Sequence, residues 1–132
     1  MKKILFVCSE NSNRSQVAEA FAKIYGTGKV IAFSAGSSPS GIINPKAIES
    51  MGELGYDLTS HSSKSVDSLK HETFDAVITM GCGDDCPFIP AKMREDWNVP
   101  DPRNMTPDQF GKVRDQIAER VKQLLRTLDS IT

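Results

Sequence analysis

A cysteine and an arginine stand six positions apart, where an apolar run gives way to a polar loop. Cys8 follows the apolar residues 4–7, and Arg14 and Ser15 precede a segment in which apolar residues recur at helical spacing. A thiolate is a strong nucleophile, and a guanidinium group can bind two oxygens of one anion. These residues therefore have the chemistry needed to bind a tetrahedral oxyanion and to attack its central atom.

The loop after Cys8 is predicted to surround such an anion. A loop that opens a helix presents unpaired backbone N–H groups and the positive end of the helix dipole, and both favour a bound anion and a nearby thiolate. A lone cysteine that closes an apolar strand is more often an inert core thiol, but the arginine and the serine beside it favour a nucleophile. The predicted oxyanion-binding residues are Ser9, Glu10, Asn11, Ser12, Asn13, Arg14 and Ser15.

Two further cysteines, Cys82 and Cys86, lie in the loop GCGDDCPFIP. The odd total of three cysteines and the lack of an export signal argue against a secreted disulfide framework, so we expect these thiols to be catalytic, metal-binding or inert. A zinc site would need two more ligands, and His61 and His71 do not have the paired spacing typical of zinc sites. We therefore expect no bound metal.

Apolar spacing predicts the elements that position these residues. Strands are predicted at 4–7, 30–33, 74–80 and, briefly, 97–99. Helices are predicted over 17–25 and 45–54, each ended by a glycine, Gly26 or Gly55, and a short helix is possible within 59–70. The most regular helical pattern runs from Thr106 to residue 128. Thr106, Pro107 and Gln109 predict a capped first turn for this helix.

Strands that alternate with helices predict an α/β fold with a parallel sheet and right-handed crossovers. We expect one domain over residues 1–132, built as three α/β/α layers around a four-stranded parallel sheet. Ligands of such sheets bind beyond the carboxyl ends of the strands. The loops that contain Cys8, Cys82 and Asp101 all lie at these ends.

Four motifs resemble one known family. The stretch CSENSNRS at 8–15 resembles the phosphate-binding loop of the low-molecular-weight protein tyrosine phosphatases and of the arsenate reductases that share their fold. SAG at 34–36, NPKAIESM at 44–51 and DP at 101–102 match the family in the same order. The resemblance covers nearly the whole chain and implies the low-molecular-weight phosphatase-like fold.

The resemblance to the thioredoxin-coupled arsenate reductases of this family implies that this chain reduces arsenate to arsenite. Cys8 would form a cysteinyl-arsenate intermediate with Asp101 as general acid, and Cys82 and Cys86 would complete a disulfide relay. Thioredoxin or another thiol reductant would restore the thiols. Phosphate and sulfate would compete with arsenate, and no cofactor is implied.

Two other activities fit the same resemblance. A phosphatase would hydrolyse phosphomonoesters through a cysteinyl-phosphate on Cys8, and an oxyanion sensor would bind without turnover. Arg103 follows the Asp-Pro pair where the phosphatases often have tyrosines that hold an aromatic substrate, which favours the reductase.

Asn13 stands where many arsenate reductases of this type have another cysteine, so the order of thiol exchange stays open.

Lys64 is a further departure from the family pattern. Some relatives bind potassium beneath the loop with an aspartate and with residues that match Asn11, Glu19 and Ser34. In this sequence, Lys64 falls near the position of that aspartate. We hypothesise that the ammonium group of Lys64 replaces that cation.

Composition excludes several function classes. Sixteen basic residues balance 17 acidic ones, so no nucleic-acid partner is expected. The apolar run after Lys2 and Lys3 is too short for a signal peptide, and no run approaches the length of a membrane span. These features predict a cytoplasmic protein without a membrane anchor.

Overall fold

A computed structural model describes residues 1–69, 71–81 and 88–130. In this part of the chain, strands and helices follow in the order β1 (Lys2–Cys8), α1 (Arg14–Tyr25), β2 (Val30–Gly36), α2 (Pro45–Gly52), β3 (Phe74–Thr79), β4 (Ala91–Asp96) and α3 (Pro107–Asp129). Two 3-10 helices, Leu58–Ser60 and Val66–Leu69, lie between α2 and β3. Cys82 and Cys86 lie outside the described residues. None of the described helices is both long and apolar enough to cross a membrane.

The strands form one parallel sheet in the order β2-β1-β3-β4, which confirms the predicted four-stranded parallel sheet. β1 lies inside the sheet, and its residues 4–8 are buried, as expected for an apolar run covered on both faces. Val7 pairs with Thr79, and the N–H of Met80 donates to the carbonyl of Val7. The chain after β3 therefore leaves the sheet beside Cys8.

The two faces of the sheet carry cores of different size. Ile4 and Phe6 of β1 belong to the larger core, which α1, α2 and α3 cover. Leu5 and Val7 point to the other face and pack with Val66 of the second 3-10 helix. Side chains of a strand alternate between faces, so β1 anchors both cores, with the α-helices over one face and the second 3-10 helix over part of the other.

α1 begins at Arg14, three residues before the predicted start at Val17. Arg14 and Ser15 therefore belong to its first turn, where their side chains keep a fixed direction. The helix ends at Gly26 as predicted, but φ there is −106°, outside the left-handed region. A Cβ at Gly26 would lie 2.5 Å from Val30 Cγ2 and 2.7 Å from the Ala22 carbonyl oxygen, so lack of space requires the glycine.

The prediction of a strand at 97–99 is wrong. The fourth strand is β4, which begins six residues before the predicted start. Its sequence, AKMRED, is mostly exposed. An edge strand with one solvent-facing side does not need an apolar run, and charged residues are common there. Trp97 and Val99 are apolar because they are buried in the larger core just after the strand, where the Trp97 N–H still donates to the Thr79 carbonyl.

Other predicted boundaries shift by a few residues. The strand predicted at 30–33 continues to Gly36, and the helix predicted at 45–54 ends at Gly52. Gly55 has a φ of +81° in the turn that follows α2. The polar stretch 59–70 contributes to the two 3-10 helices.

The capped start of α3 is confirmed in full. The Thr106 hydroxyl accepts from the Gln109 N–H, and the Gln109 side chain accepts from the Thr106 N–H. Pro107 occupies the first helical position, where its missing N–H costs no hydrogen bond.

We expect Thr106→Ala to lower the free energy of unfolding by about 1 kcal/mol, because it leaves an N–H of the first turn of α3 without its acceptor. Thr106→Ser keeps the hydroxyl and should retain most of the stability. Urea titration followed by circular dichroism measures both. Equal losses in the two variants would contradict the capping role.

Candidate functional site

The loop between β1 and α1 is tied to the segment after β2 through its carbonyl groups. Backbone N–H groups at 37–44 donate to four loop carbonyls at 2.8–3.3 Å. The donor and acceptor pairs are Ser37 with Cys8, Ser38 with Ser9, Ser40 with Glu10 and Asn44 with Ser12. In a planar trans peptide the carbonyl and the next N–H point in opposite directions. The N–H groups that follow these carbonyls therefore face the interior of the loop, where an anion would bind.

Gly36 allows this close approach. A Cβ at Gly36 would lie 2.6 Å from the carbonyl oxygen of Ser9 and 3.0 Å from the N of Asn11. Both are backbone atoms, so making room for a side chain would require the loop backbone itself to shift. The SAG motif thus ends in glycine because the loop packs directly on the end of β2.

Cys8 is buried at the base of the loop and contacts Ser15. The Cys8 Sγ and the Ser15 Oγ are 2.8 Å apart. Asn11 Nδ2 donates to the same Ser15 oxygen at 2.8 Å, and Asn11 Oδ1 accepts from the Lys64 N–H, which fixes the orientation of the amide. Because Ser15 accepts from Asn11, its own proton is left to point at the sulfur. The Ser15 hydroxyl is thus placed to donate a hydrogen bond to Cys8.

Arg14 is almost fully buried, and its guanidinium group is held from two sides. Nη1 donates to the Val99 carbonyl at 3.0 Å, and Nη2 lies 3.9 Å from Asp101 Oδ2. On a third side, a Cβ at Gly81 would lie 2.1 Å from Nη1. The position of Gly81, with a φ of +78°, thus makes room for the arginine.

These groups surround one cavity of about 280 Å³. The described residues that line it are Cys8, Ser9, Glu10, Ser12, Asn13, Arg14, Gly81, Asp101 and Arg103. Asn11 and Ser15 do not line this cavity; their side chains contact each other beneath the loop, and Ser15 contacts Cys8, so oxyanion binding by these two residues stays a prediction. The predicted nucleophile, arginine and general acid therefore meet around a common space.

Two features of the rim were not predicted from the sequence. Arg103 Nη2 lies 3.2 Å from Asp101 Oδ2, and Arg103 Nη1 lies 3.5 Å from a carboxylate oxygen of Glu10. Asn13 precedes α1 without a capping hydrogen bond, and its buried Oδ1 has no hydrogen-bond partner among the residues that the structure describes. The cavity is thus lined by charged and polar groups on several sides.

A buried carboxylate, Glu19, lies beneath the loop. Ser34 donates to its Oε1 at 2.5 Å, Lys23 Nζ lies 2.6 Å from its Oε2, and Lys64 Nζ lies 3.8 Å from its Oε1. Burial lowers the pKa of Lys64, while Glu19 opposes that change. The Lys64 ammonium thus lies near Glu19, and its replacement of a bound cation stays a prediction.

Sequence reasoning missed two buried residues near the loop. Gln16 is fully buried, and His61, which had no assigned role, contacts it through Nδ1 at 3.0 Å. The sequence offered one indication of this pair, the polar residue Gln16 directly before the apolar helical pattern that begins at Val17.

Comparison with known proteins gives consistent results. A family model described as low molecular weight phosphotyrosine protein phosphatase matches residues 3–131. A glutaredoxin arsenate reductase of Synechocystis sp. is 39% identical over 128 residues, which cover 95% of this chain and 97% of that protein. Arsenate reductase 1 of Staphylococcus haemolyticus is 40% identical over 131 residues, covering 96% and 97%.

Solved structures show the same similarity. An arsenate reductase in the phosphate binding state has a TM-score of 0.87 and 38% identity, with 96% of this chain and 98% of that chain covered. A thioredoxin-dependent arsenate reductase of Corynebacterium glutamicum has a TM-score of 0.81 and 31% identity, with 100% of this chain and 64% of that chain covered.

We expect Gly81→Ala to weaken the binding of inorganic phosphate about tenfold or more, because the added methyl group displaces the Arg14 guanidinium from its charge-assisted contacts. Gly28→Ala is the matched control, since Gly28 has a φ of +79° but nothing within 4 Å of the added carbon. Isothermal titration calorimetry measures both affinities. If Gly28→Ala weakened phosphate binding as much, backbone strain rather than the arginine would be responsible.

Proposed function

The chain belongs to the low molecular weight phosphotyrosine protein phosphatase family, and we propose that it is an arsenate reductase within that family. The observation that carries the proposal is the near full-length similarity to proteins and structures named arsenate reductases, at 37–40% identity. The geometry agrees, because a buried thiol, an arginine and an acid face a small polar cavity. A free tetrahedral oxyanion fits such a space.

The first step would form a cysteinyl-arsenate. The Cys8 thiolate attacks the arsenic of HAsO₄²⁻, a sulfur–arsenic bond forms and one arsenic–oxygen bond breaks. The leaving hydroxide takes a proton from Asp101 and departs as water. Arg14 and the loop N–H groups stabilise the negative oxygens that remain. Asp101 is proposed for this role because its carboxyl group lines the same cavity as Cys8.

The second step would transfer electrons to arsenic. Cys82 attacks the Cys8 sulfur, the sulfur–arsenic bond breaks, and its electron pair stays on arsenic, which leaves as arsenite. Cys86 then attacks Cys82, which frees the Cys8 thiolate and leaves a disulfide between Cys82 and Cys86. Gly81 supports this relay, because it lines the cavity with Cys8 and is followed directly by Cys82 in the sequence.

A thiol reductant must then reduce this disulfide and restore the two thiols. We propose thioredoxin, in the reducing environment of the cytoplasm. The names of two relatives support a thiol protein in this step, since one is a glutaredoxin arsenate reductase and the other is a thioredoxin-dependent arsenate reductase.

The phosphatase alternative is less favoured. The described residues that line the cavity include no aromatic side chain that could hold an aryl ester. Arg103, paired with Glu10 and Asp101, occupies the rim instead.

We expect the protein to reduce arsenate when it is coupled to thioredoxin, thioredoxin reductase and NADPH, measured by NADPH absorbance, with glutaredoxin and glutathione tested in parallel. Cys82→Ser should abolish reduction, because no second thiol attacks Cys8, and should leave any hydrolysis of p-nitrophenyl phosphate intact. Cys8→Ser should abolish both activities. Continued arsenate reduction by Cys82→Ser would rule out the proposed relay.

We also expect turnover to be the same in potassium, sodium and choline salts of equal ionic strength, because the Lys64 ammonium, 3.8 Å from Glu19 Oε1, takes the place of a bound cation beside this carboxylate. Lys64→Met should reduce turnover, whereas Lys92→Met, at an exposed lysine, should not. Steady-state rates in each salt measure the effect. Clear activation of the unmodified protein by potassium would contradict the hypothesis.

A further inference from the structure

An ion pair crosses the solvent-facing side of the cavity that contains Cys8. Arg103 Nη1 lies 3.5 Å from each carboxylate oxygen of Glu10, and both residues line the cavity. Glu10 belongs to the loop after β1, whereas Arg103 belongs to the segment between β4 and α3. The side chains of Arg103 and Glu10 are 53% and 44% exposed, while Cys8 and Arg14 are buried. The Glu10–Arg103 pair therefore lies on the outer side of the cavity, between the thiol and water.

The backbone on each side of the Glu10–Arg103 pair is held by hydrogen bonds. The Glu10 carbonyl accepts from the Ser40 N–H and from the Ser63 hydroxyl, both at 3.0 Å. The Arg103 carbonyl accepts from Lys46 Nζ at 2.9 Å. Exposed ion pairs contribute little to stability where two free side chains must be ordered. Here the pair joins two anchored segments, so it keeps one place across the cavity.

Arg103 is also bound to the proposed general acid. Its Nη2 lies 3.2 Å from Asp101 Oδ2, and its backbone N–H donates to Asp101 Oδ1 at 3.1 Å. One side of the planar guanidinium group thus contacts Asp101, while the other faces Glu10. In the proposed reaction, Asp101 protonates the oxygen that leaves arsenic. Arg103 therefore lies beside the place at which that oxygen departs.

The direction of attack determines where an organic group on the substrate would extend. A nucleophile attacks in line with the leaving oxygen, so that oxygen lies on the side of the central atom away from Cys8. In free arsenate or phosphate it carries at most a proton. In a phosphomonoester it carries the organic group, which would extend to the outer side of the cavity, where Glu10 and Arg103 meet. The organic group would have to separate the two charges or remove water from them, and both cost free energy.

The charge of the pair suits a small anion. A lone Glu10 carboxylate would repel an anion in the cavity, and Arg103 offsets that charge. The described charged residues that line the cavity are two acids, Glu10 and Asp101, and two arginines, Arg14 and Arg103. With Arg103 shared between the two acids, the Arg14 guanidinium is left to contact an anion behind the pair.

We propose that the Glu10–Arg103 pair determines the substrate class, because it selects free tetrahedral oxyanions over phosphomonoesters. The proposal deepens the proposed function and rests on the binding of an oxyanion beside Cys8. It does not depend on the later exchange of thiols.

Two anions that differ in one organic group test the proposal. Inorganic phosphate and phenyl phosphate are both mainly dianions at about pH 8. The readout is the concentration of each anion that halves the rate at which iodoacetamide alkylates Cys8. The phenyl phosphate value divided by the phosphate value is the selectivity ratio. Trypsin cleavage after Lys3 and Arg14 gives the peptide 4–14, in which Cys8 is the single cysteine, so mass spectrometry follows this thiol alone.

We expect the unmodified protein to favour phosphate, and Glu10→Ala and Arg103→Ala each to lower the selectivity ratio about tenfold. The double variant should match the single variants within about twofold, because either substitution alone breaks the same pair. Lys29→Ala is the matched control, since it breaks an exposed ion pair with Asp129 that does not line the cavity. It should leave the selectivity ratio unchanged.

Several results would overturn the proposal. An unchanged selectivity ratio in both single variants would show that the pair does not select the substrate, even if the variants lose thermal stability. Effects that multiply in the double variant would show two independent residues instead of one pair. Failure of phosphate to protect Cys8 in the unmodified protein would refute the oxyanion site itself. The expected ratios in a protein that reduces no arsenate would support the pair and refute only the proposed reductase activity.

The unmodified protein provides a second test, because salt screens an exposed ion pair. Raising the salt concentration from about 0.01 M to about 1 M shortens the Debye length from about 30 Å to about 3 Å. Salt weakens the binding of two anions of equal charge alike, so this effect cancels in the selectivity ratio. We expect the ratio of the unmodified protein to fall towards that of the double variant, whose own ratio stays constant. A parallel change in both proteins would contradict the proposal.

Discussion

The site depends on which way the carbonyl groups of the loop between β1 and α1 point. Four of them accept hydrogen bonds from the segment at 37–44, outside the loop. Because each peptide unit is planar, this outward bonding turns the N–H groups inward without any side chain. The proposed binding of an anion would therefore rest on the backbone, and the side chains of Cys8 and Arg14 would add reactivity and charge to this cradle.

The start of α2 connects this cradle to the loop that carries the acid. The Asn44 N–H donates to the Ser12 carbonyl, and two residues later Lys46 Nζ donates to the carbonyls of Arg103 and Met105 at 2.9 and 3.1 Å. Proline at the first helical position and the Asn44 cap fix where these groups lie. The NPK motif thus links the loop after Cys8 to the segment after Asp101 through one helix start.

Much of this organisation was accessible from the sequence, for identifiable reasons. The spacing of Cys8, Arg14 and Ser15 reflects a local strand-to-helix turn, and the cap at Thr106 is encoded within four residues, so both were predicted. β4 was missed because strands were predicted from apolar runs, whereas an exposed edge strand can carry charged residues instead. The pairing of Gln16 with His61 was missed because 45 residues separate them, and only the packed fold brings their polar atoms together.

The character of β4 has a consequence for encounters between copies of the protein. An edge strand presents unpaired N–H and C=O groups, and a flat apolar edge invites another chain to extend the sheet. Here the edge strand β4 ends in Arg94, Glu95 and Asp96, with both signs of charge exposed to water. Adding a neighbour's strand would bring these charges together and strip them of water, so the edge discourages aggregation by strand addition.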